Sequence, residues 1–222
     1  MSEKKINKKE VAWELCKATF SQLVPGGPYL TGLMDYALNT HTKEAFESLL
    51  DQMKKQIDDL KDKVEVESLN KDEFSELFKS CILITARTHQ EKKIKAASAL
   101  LVNFLLKDGE PEKLNYTEVD HFIRCVEKLS MGAIQVLGVA FELASRHEPE
   151  NIEERLSRMN FGDLHQKMDL EDHLLMGLLS ELNSFNFIHL LGTPAIGEKN
   201  YINYPVQLTP IGARFVKRLL KP

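Results

Sequence analysis

His165, Asp169 and His173 stand four residues apart. On one continuous helix that spacing brings two imidazoles and a carboxylate to one face, a ligand set for a metal such as zinc. Asp169, however, falls where a helix is expected to start. With Asp172 three residues on, it reads as an N-cap with a charged residue at N3. Capping is expected there, and no metal is assigned. "PGGPY" at 25–29 offers a Gly-rich turn for phosphate but lacks the Lys-Ser/Thr of a P-loop. A turn between helices is expected instead. "TARTHQEKK" at 85–93 gathers Thr85, Arg87, His89, Glu91 and Lys92. On a helix most of these point outward, and a polar cluster without a pocket makes no site. Cys16, Cys81 and Cys125 lie far apart among apolar residues with no metal-ligand spacing. They are expected to be buried free thiols in a reducing compartment. No Ser/His/Asp or Cys/His motif stands out, although such triads are built in space rather than in sequence. The expectation is a protein that is not an enzyme and needs no cofactor.

Charge narrows the partner classes. The net charge is −4, and no block is strongly basic. Lys and Arg number 17 against 16 Asp and Glu over 1–107, 4 against 8 over 108–149, and 8 against 9 over 150–222. A dedicated nucleic-acid binder usually carries a basic domain or stripe. The apolar runs fall far short of the ~20 residues that cross a bilayer. "MSEKKINKKE" is basic and polar, with no apolar segment after it of the kind a secretion signal has. A cytoplasmic protein without a membrane span is therefore expected.

The elements that would position these residues are mostly helices. One is expected from Asn7 to the Pro and Gly residues at 25–28, and a second from Pro28. Phe46, Leu50, Met53, Ile57, Leu60 and Val64 follow at spacings of 4, 3, 4, 3 and 4, a heptad-like seam. It is a candidate interaction surface, within the chain or across a dimer. Asn70 and Glu73 form a capping-box pattern. From there apolar positions repeat at helical spacing to Leu105, with a kink near Thr85–His89, so the seam helix and this one should form a long antiparallel hairpin. "KDGEPEKLN" at 107–115 is the linker candidate, too short and charged to act as a free tether. Beyond it, Thr117 should cap one helix and Ser130 another. A short helix is expected over 151–159 and a longer one over 170–184. Two β-prone runs, 185–191 and 204–209, flank a loop. In the closing helix Thr209 is the N-cap and Pro210 sits at N1, where its missing N–H costs nothing. Gly212 allows close packing on the hairpin.

"LLSELNSFNFI" at 178–188 and "YPVQLTPIGARFVKRL" at 204–219 carry a resemblance. Residues 131–220 resemble a winged-helix domain, whose third helix would be 170–184 and whose wing would be the hairpin. The resemblance implies a DNA reader, but the residues oppose it. Asp169, Glu171 and Asp172 would face the groove, where phosphates repel carboxylates and bases are read by Arg, Lys, Asn or Gln. In the wing, Lys199 stands beside Glu198. The other candidate phosphate contacts are Arg214, Lys217 and Arg218, which also suit the solvated face of an amphipathic helix. A tight binder generally needs ~6–10 phosphate contacts. The expected fold is mainly α: a helical region over 1–107 built on a long hairpin, then a winged-helix-like region over 116–222 with a small β-hairpin. The expected function is a non-enzymatic cytoplasmic regulatory or protein-interaction protein with a degenerate winged helix, whose partner is another protein or itself. The alternative is a homodimeric winged-helix DNA-binding transcriptional regulator.

Overall fold

The computed structural model describes residues 40–60, 63–65, 69–88, 90–145, 159–191 and 202–219. The helices expected before residue 40, the "PGGPY" turn, Cys16, residues 151–158 and the wing loop at 192–201 lie outside the described residues. The described part is mainly helical, with a small three-stranded antiparallel sheet near the C-terminus. It divides into two compact units, one ending at Glu127 and the other beginning at Lys128.

The first unit is built on α1 (Thr40–Leu60), α2 (Lys71–Arg87) and α3 (Glu91–Phe104). Leu49, Met53 and Ile57 of α1 repeat every four residues and are buried, so they form one stripe along the helix. That stripe faces α3 and α2. α2 starts where Asn70 accepts from the N–H groups of Asp72 (3.2 Å) and Glu73 (3.3 Å). Its buried side carries Phe74, Leu77, Phe78 and Cys81, with the rings of Phe74 and Phe78 stacked 5.9 Å apart.

The expected kink near Thr85–His89 is a complete break. Thr88 turns extended at φ −132° and ψ 138°, and its hydroxyl accepts from the Gln90 N–H at 3.2 Å. A β-branched residue with a side-chain acceptor offers the backbone an alternative to the next helical turn. The second arm of the expected hairpin is therefore two helices, and three helices pack on one another. Backbone bonds join the chain beyond α1 to the end of α3: Glu65 N–H to Leu105 O and Lys107 N–H to Lys63 O, both 2.9 Å. Gln56 also donates to the Ser98 hydroxyl at 2.9 Å. These ties bring the C-terminal ends of α1 and α3 together, and the two helices pack directly on each other as well as on α2.

The segment expected as a linker is stitched down. Asn103 is a buried polar residue of α3. Its amide donates to Glu112 O at 2.9 Å, and its oxygen accepts from the buried Leu114 N–H at 2.8 Å. Gly109 takes φ 90° in the turn, a conformation that suits glycine. The Lys113 ammonium, 2.7 Å from Asp108, holds that carboxyl below the usual range by its hydrogen bond and charge. α4 (Tyr116–Lys128) is then capped by Asn115, not by Thr117 as expected. Asn115 accepts from the Glu118 N–H at 2.9 Å and Glu118 accepts from the Asn115 N–H at 3.3 Å, a reciprocal pair. The contacts group α4 up to Glu127 with the first unit.

The second unit runs α5 (Met131–Ser145), β1 (Met159–Asn160), α6 (Phe161–Met168), α7 (Asp172–Ser184), β2 (Ile188–Leu190), β3 (Pro205–Leu208) and α8 (Pro210–Leu219). Ser130 caps α5 as expected, its hydroxyl 3.1 Å from the Ala133 N–H. Glu181 of α7 adds a second clamp, accepting from the Ser130 N–H (2.5 Å) and hydroxyl (2.7 Å). Of the helix expected over 151–159, the described residue Met159 lies in β1. The helix that follows, α6, is opened by a capping box between Asn160 and Asp163. The expected hairpin is present: Ile188 pairs with Leu208, His189 with Gln207 and Leu190 with Val206. β1 adds to the far side of β3, giving the order β1-β3-β2.

The LTP-x-G ending closes this unit. Thr209 accepts from the Gly212 N–H at 3.0 Å and donates to the carbonyls of Asn186 and Phe187. A Cβ on Gly212 would sit 2.2 Å from the Phe187 carbonyl oxygen. The ring of Phe187 stacks 4.4 Å from that of Phe215 on α8.

Two outcomes follow. Gly212→Ala should lower stability by more than about 2 kcal/mol, because the clash is with backbone. Asn103→Ala should cost about 1–3 kcal/mol by leaving the Leu114 N–H and Glu112 O without their partner. Urea unfolding curves check both. A stability change within error at either site would contradict the packing described.

Candidate functional site

The metal spacing seen in the sequence is broken by the fold. His165 lies on α6, Asp169 in the turn after it, and His173 on α7. Asp169 does not open a helix as expected. It ends α6 in the left-handed region, at φ 49° and ψ 45°, with its N–H on His165 O at 3.1 Å. Asp can adopt this conformation because its short polar side chain interacts locally. Glu171 occupies the N-cap of α7 without a side-chain capping bond. The His165 ring stacks on Phe161, 6.1 Å between centroids. Its Nε2 lies 3.3 Å from Asp172, and both side chains are about half exposed, 46% and 48%. A pair that open to water contributes little to stability. Among the described residues no group of three or more His, Cys, Asp or Glu is placed to hold a metal.

α7 has a sharp inner and outer side. Leu175, Leu179 and Leu182 are fully buried, and this helix packs on α5 and β2. Leu178 reaches over Gly132, where a Cβ would come within 3.1 Å of it. Exposed residues are Glu171, Asp172, His173, Gly177, Ser180, Asn183 and Ser184, together with Leu174, which is 53% exposed. No Lys or Arg occurs between Asp169 and Ser184.

The base of the loop between β2 and β3 is held at both sides. Leu191 N–H donates to Pro205 O at 3.2 Å, Phe161 N–H to Tyr204 O at 2.8 Å and Gly162 N–H to Ile202 O at 2.9 Å. Leu191 and Ile202, one at each foot, are 50% and 61% exposed. Lys199 lies outside the described residues. On α8, Arg214 and Lys217 are exposed and Arg218 is half-buried, while Phe215, Val216 and Leu219 face the core. Lys217 and Arg218 occupy the last turn, where cations favour the helix dipole.

The heptad-like seam is turned inward. Met53, Ile57 and Val64 are buried within the first unit, Leu50 and Leu60 are half-buried, and the Phe46 side chain lies outside the described residues. Leu49, which the seam omitted, is fully buried. Val64 is not on the helix, which ends at Leu60. It pairs with Leu106 in a β-bridge.

The "TARTHQEKK" segment is organised around α4. Arg87 pairs with the Glu127 carboxylate. The ammonium of Lys93, a buried residue absent from the polar group noted above, donates to Glu127 O at 3.1 Å. Glu91 and Lys92 are exposed, and Thr85 and His89 lie outside the described side chains. Lys93 could not be found by polarity alone, since its neighbours Lys92 and Lys95 are surface lysines.

Cys81 is wholly buried, and burial pushes its thiol far up, so it stays neutral and unreactive near pH 7. Its Sγ lies 3.8 Å from Ala97 O. Alkylation followed by peptide mass spectrometry should find Cys81 protected in the native protein and labelled in step with unfolding in urea. Fast native labelling would contradict its burial. No protein-family model, curated protein or solved structure matches the chain.

Proposed function

We propose that the chain is a non-enzymatic regulatory or protein-interaction protein, whose C-terminal unit is a winged helix used for contact with protein rather than DNA. The winged-helix resemblance implies three helices followed by a β-hairpin; α5, α7 and β2–β3 fall where it puts the first helix, the third helix and the hairpin, while the helix before α7 is α6 at 161–168 and not the expected 151–159. One observation carries the reading away from DNA. α7, in the position of the recognition helix, has no Lys or Arg, and its exposed charges at the start are Glu171 and Asp172, with Asp169 just before. Carboxylates at that place repel phosphate and offer no bidentate donor to a base.

The DNA-reading alternative draws support from the exposed Arg214 and Lys217 on α8. Binding through them would depend on phosphate contact and hence on salt. Homodimerisation through the heptad-like seam loses support, because Met53 and Ile57 are already buried within their own unit. No described helix is long and apolar enough to cross a membrane.

Fluorescence anisotropy of a labelled DNA duplex, titrated with the full chain from low to moderate salt, decides between the two readings. No binding at low salt is expected. Micromolar binding with a steep negative salt slope, lost when Arg214, Lys217 and Arg218 are reversed in charge, would replace the protein-contact reading with the DNA-reading one.

A further inference from the structure

We infer that the Asp108–Gly109 step is a site of covalent backbone modification, the spontaneous isomerisation of Asp108 to an isoaspartyl link, and that the Lys113 ammonium restrains it. Among the 11 glycines only Gly109 follows an Asp, and none follows an Asn. The inference is independent of what the C-terminal unit contacts.

The turn supplies each requirement of that reaction. Ring closure needs an unhindered backbone nitrogen after the aspartate, and ring opening needs water. Residues Lys107 to Glu110 form a turn closed by the Glu110 N–H on Lys107 O at 3.2 Å. Gly109 is its third residue, at φ 90°, and Asp108 before it has no positive φ. That is the type II pattern, which calls for glycine at the third position. The space there is open, since a Cβ on Gly109 would meet nothing within 4 Å, but the backbone conformation would strain any other residue. The fold therefore requires, next to Asp108, the residue that hinders attack least. The Asp108 side chain is 86% exposed, so the ring once formed is open to hydrolysis.

The chemistry is a dehydration followed by a hydrolysis. The Gly109 nitrogen attacks Cγ of the neutral Asp108 carboxyl. A C–N bond forms, the C–OH bond breaks, and water leaves with the carboxyl hydroxyl and the amide proton. Water then adds to one of the two carbonyls of the succinimide. Opening at the side-chain carbonyl restores aspartate. Opening at the main-chain carbonyl of Asp108 routes the backbone through Cβ and Cγ and leaves a free α-carboxylate. Nothing is oxidised or reduced. The isoaspartyl link adds one carbon to the chain between Lys107 and Glu110, the two ends of the turn's hydrogen bond.

Lys113 opposes the first step. Its Nζ lies 2.7 Å from Asp108 Oδ1, and its hydrogen bond and charge hold that carboxyl below the usual range. The ionised form has no hydroxyl to lose, so the reactive neutral form is scarce near neutral pH. The cation is itself held in place. The Lys113 N–H donates to Glu110 O at 2.9 Å, its side chain is only 25% exposed, and Leu114 after it is buried.

The test stores the full chain in warm neutral buffer and maps its peptides by chromatography and mass spectrometry, where an isoaspartyl peptide separates from its parent at equal mass. Isoaspartate should accumulate at residue 108 in the wild type. Lys113→Gln should speed it about two- to fivefold, the scale of influence of an exposed ion pair. Lys113→Arg keeps the charge and should behave as wild type, which separates loss of the cation from loosening of the turn. Thermal midpoints of the three proteins, measured alongside, should agree closely. Wild type unfolded in guanidinium, where the pair is gone, should also react faster than the native chain. Absence of isoaspartate at 108 in both native and unfolded chains overturns the site. Equal rates in wild type and Lys113→Gln, or a fast Lys113→Arg with an unchanged midpoint, overturn the restraint by Lys113.

Discussion

The carbonyl of Phe187 is the point on which the C-terminal unit closes. It leaves α7 at the end of a tight turn, where Asn186 takes a positive φ of 58°, and is met by the Thr209 N–H at 3.0 Å and by the Thr209 hydroxyl. A buried carbonyl must find a donor, since leaving it unpaired costs about 1–3 kcal/mol. Thr209 meets that need while capping α8 with the same oxygen, which accepts from Gly212 N–H. The absence of a side chain at Gly212 lets α8 come down onto this carbonyl. Once α8 is there, Phe215 stacks on Phe187, and Val206 and Leu208 of β3 are buried alongside. Hairpin, helix and core thus share one hydrogen-bonded crossing.

The N-terminal unit solves the same problem with other side chains. Asn103 holds a nine-residue stretch, 107–115, by its two ends of polarity. Lys93 places an ammonium on the last-turn carbonyl of Glu127, where the partial negative charge of a helix end favours it. Each side chain lets a backbone segment sit against an apolar core without leaving a polar group unpaired.

What remains for function is the surface left over. The inner side of α7 is used up by leucines, the opposite side carries His173, Gly177, Ser180 and Ser184, and Glu171 and Asp172 stand exposed at the helix start. The basic residues of α8 occupy the solvated side of a helix whose other side is core. A strong phosphate reader gathers cations where the groove will lie. Here α7 carries the opposite sign at its start.

Local chemistry was legible in the sequence wherever a side chain acts within a few residues of itself. Asn70 and Ser130 as caps, Thr209-Pro210 opening the last helix and the β-prone pair at 185–191 and 204–209 all follow from short-range geometry. The mainly helical class with a late hairpin follows from the apolar periodicity. Boundaries that depend on distant partners were not legible. Asp169 looked like the start of a helix because acids favour both helix starts and left-handed turns, and α6, folded ahead of it, makes it an ending. The seam counted Leu50, Leu60 and Val64 because a 4,3 spacing fits them. The fold buries Leu49, Met53 and Ile57 because a straight helix between two neighbours presents an i, i+4 stripe. Lys93, Asn103 and Glu181 give no sequence signal, since their partners lie 34, 11 and 51 residues away. Sequence determines what each segment prefers to be. Only the tertiary structure decides which polar groups must be satisfied at a distance, because that need arises when the core closes around them.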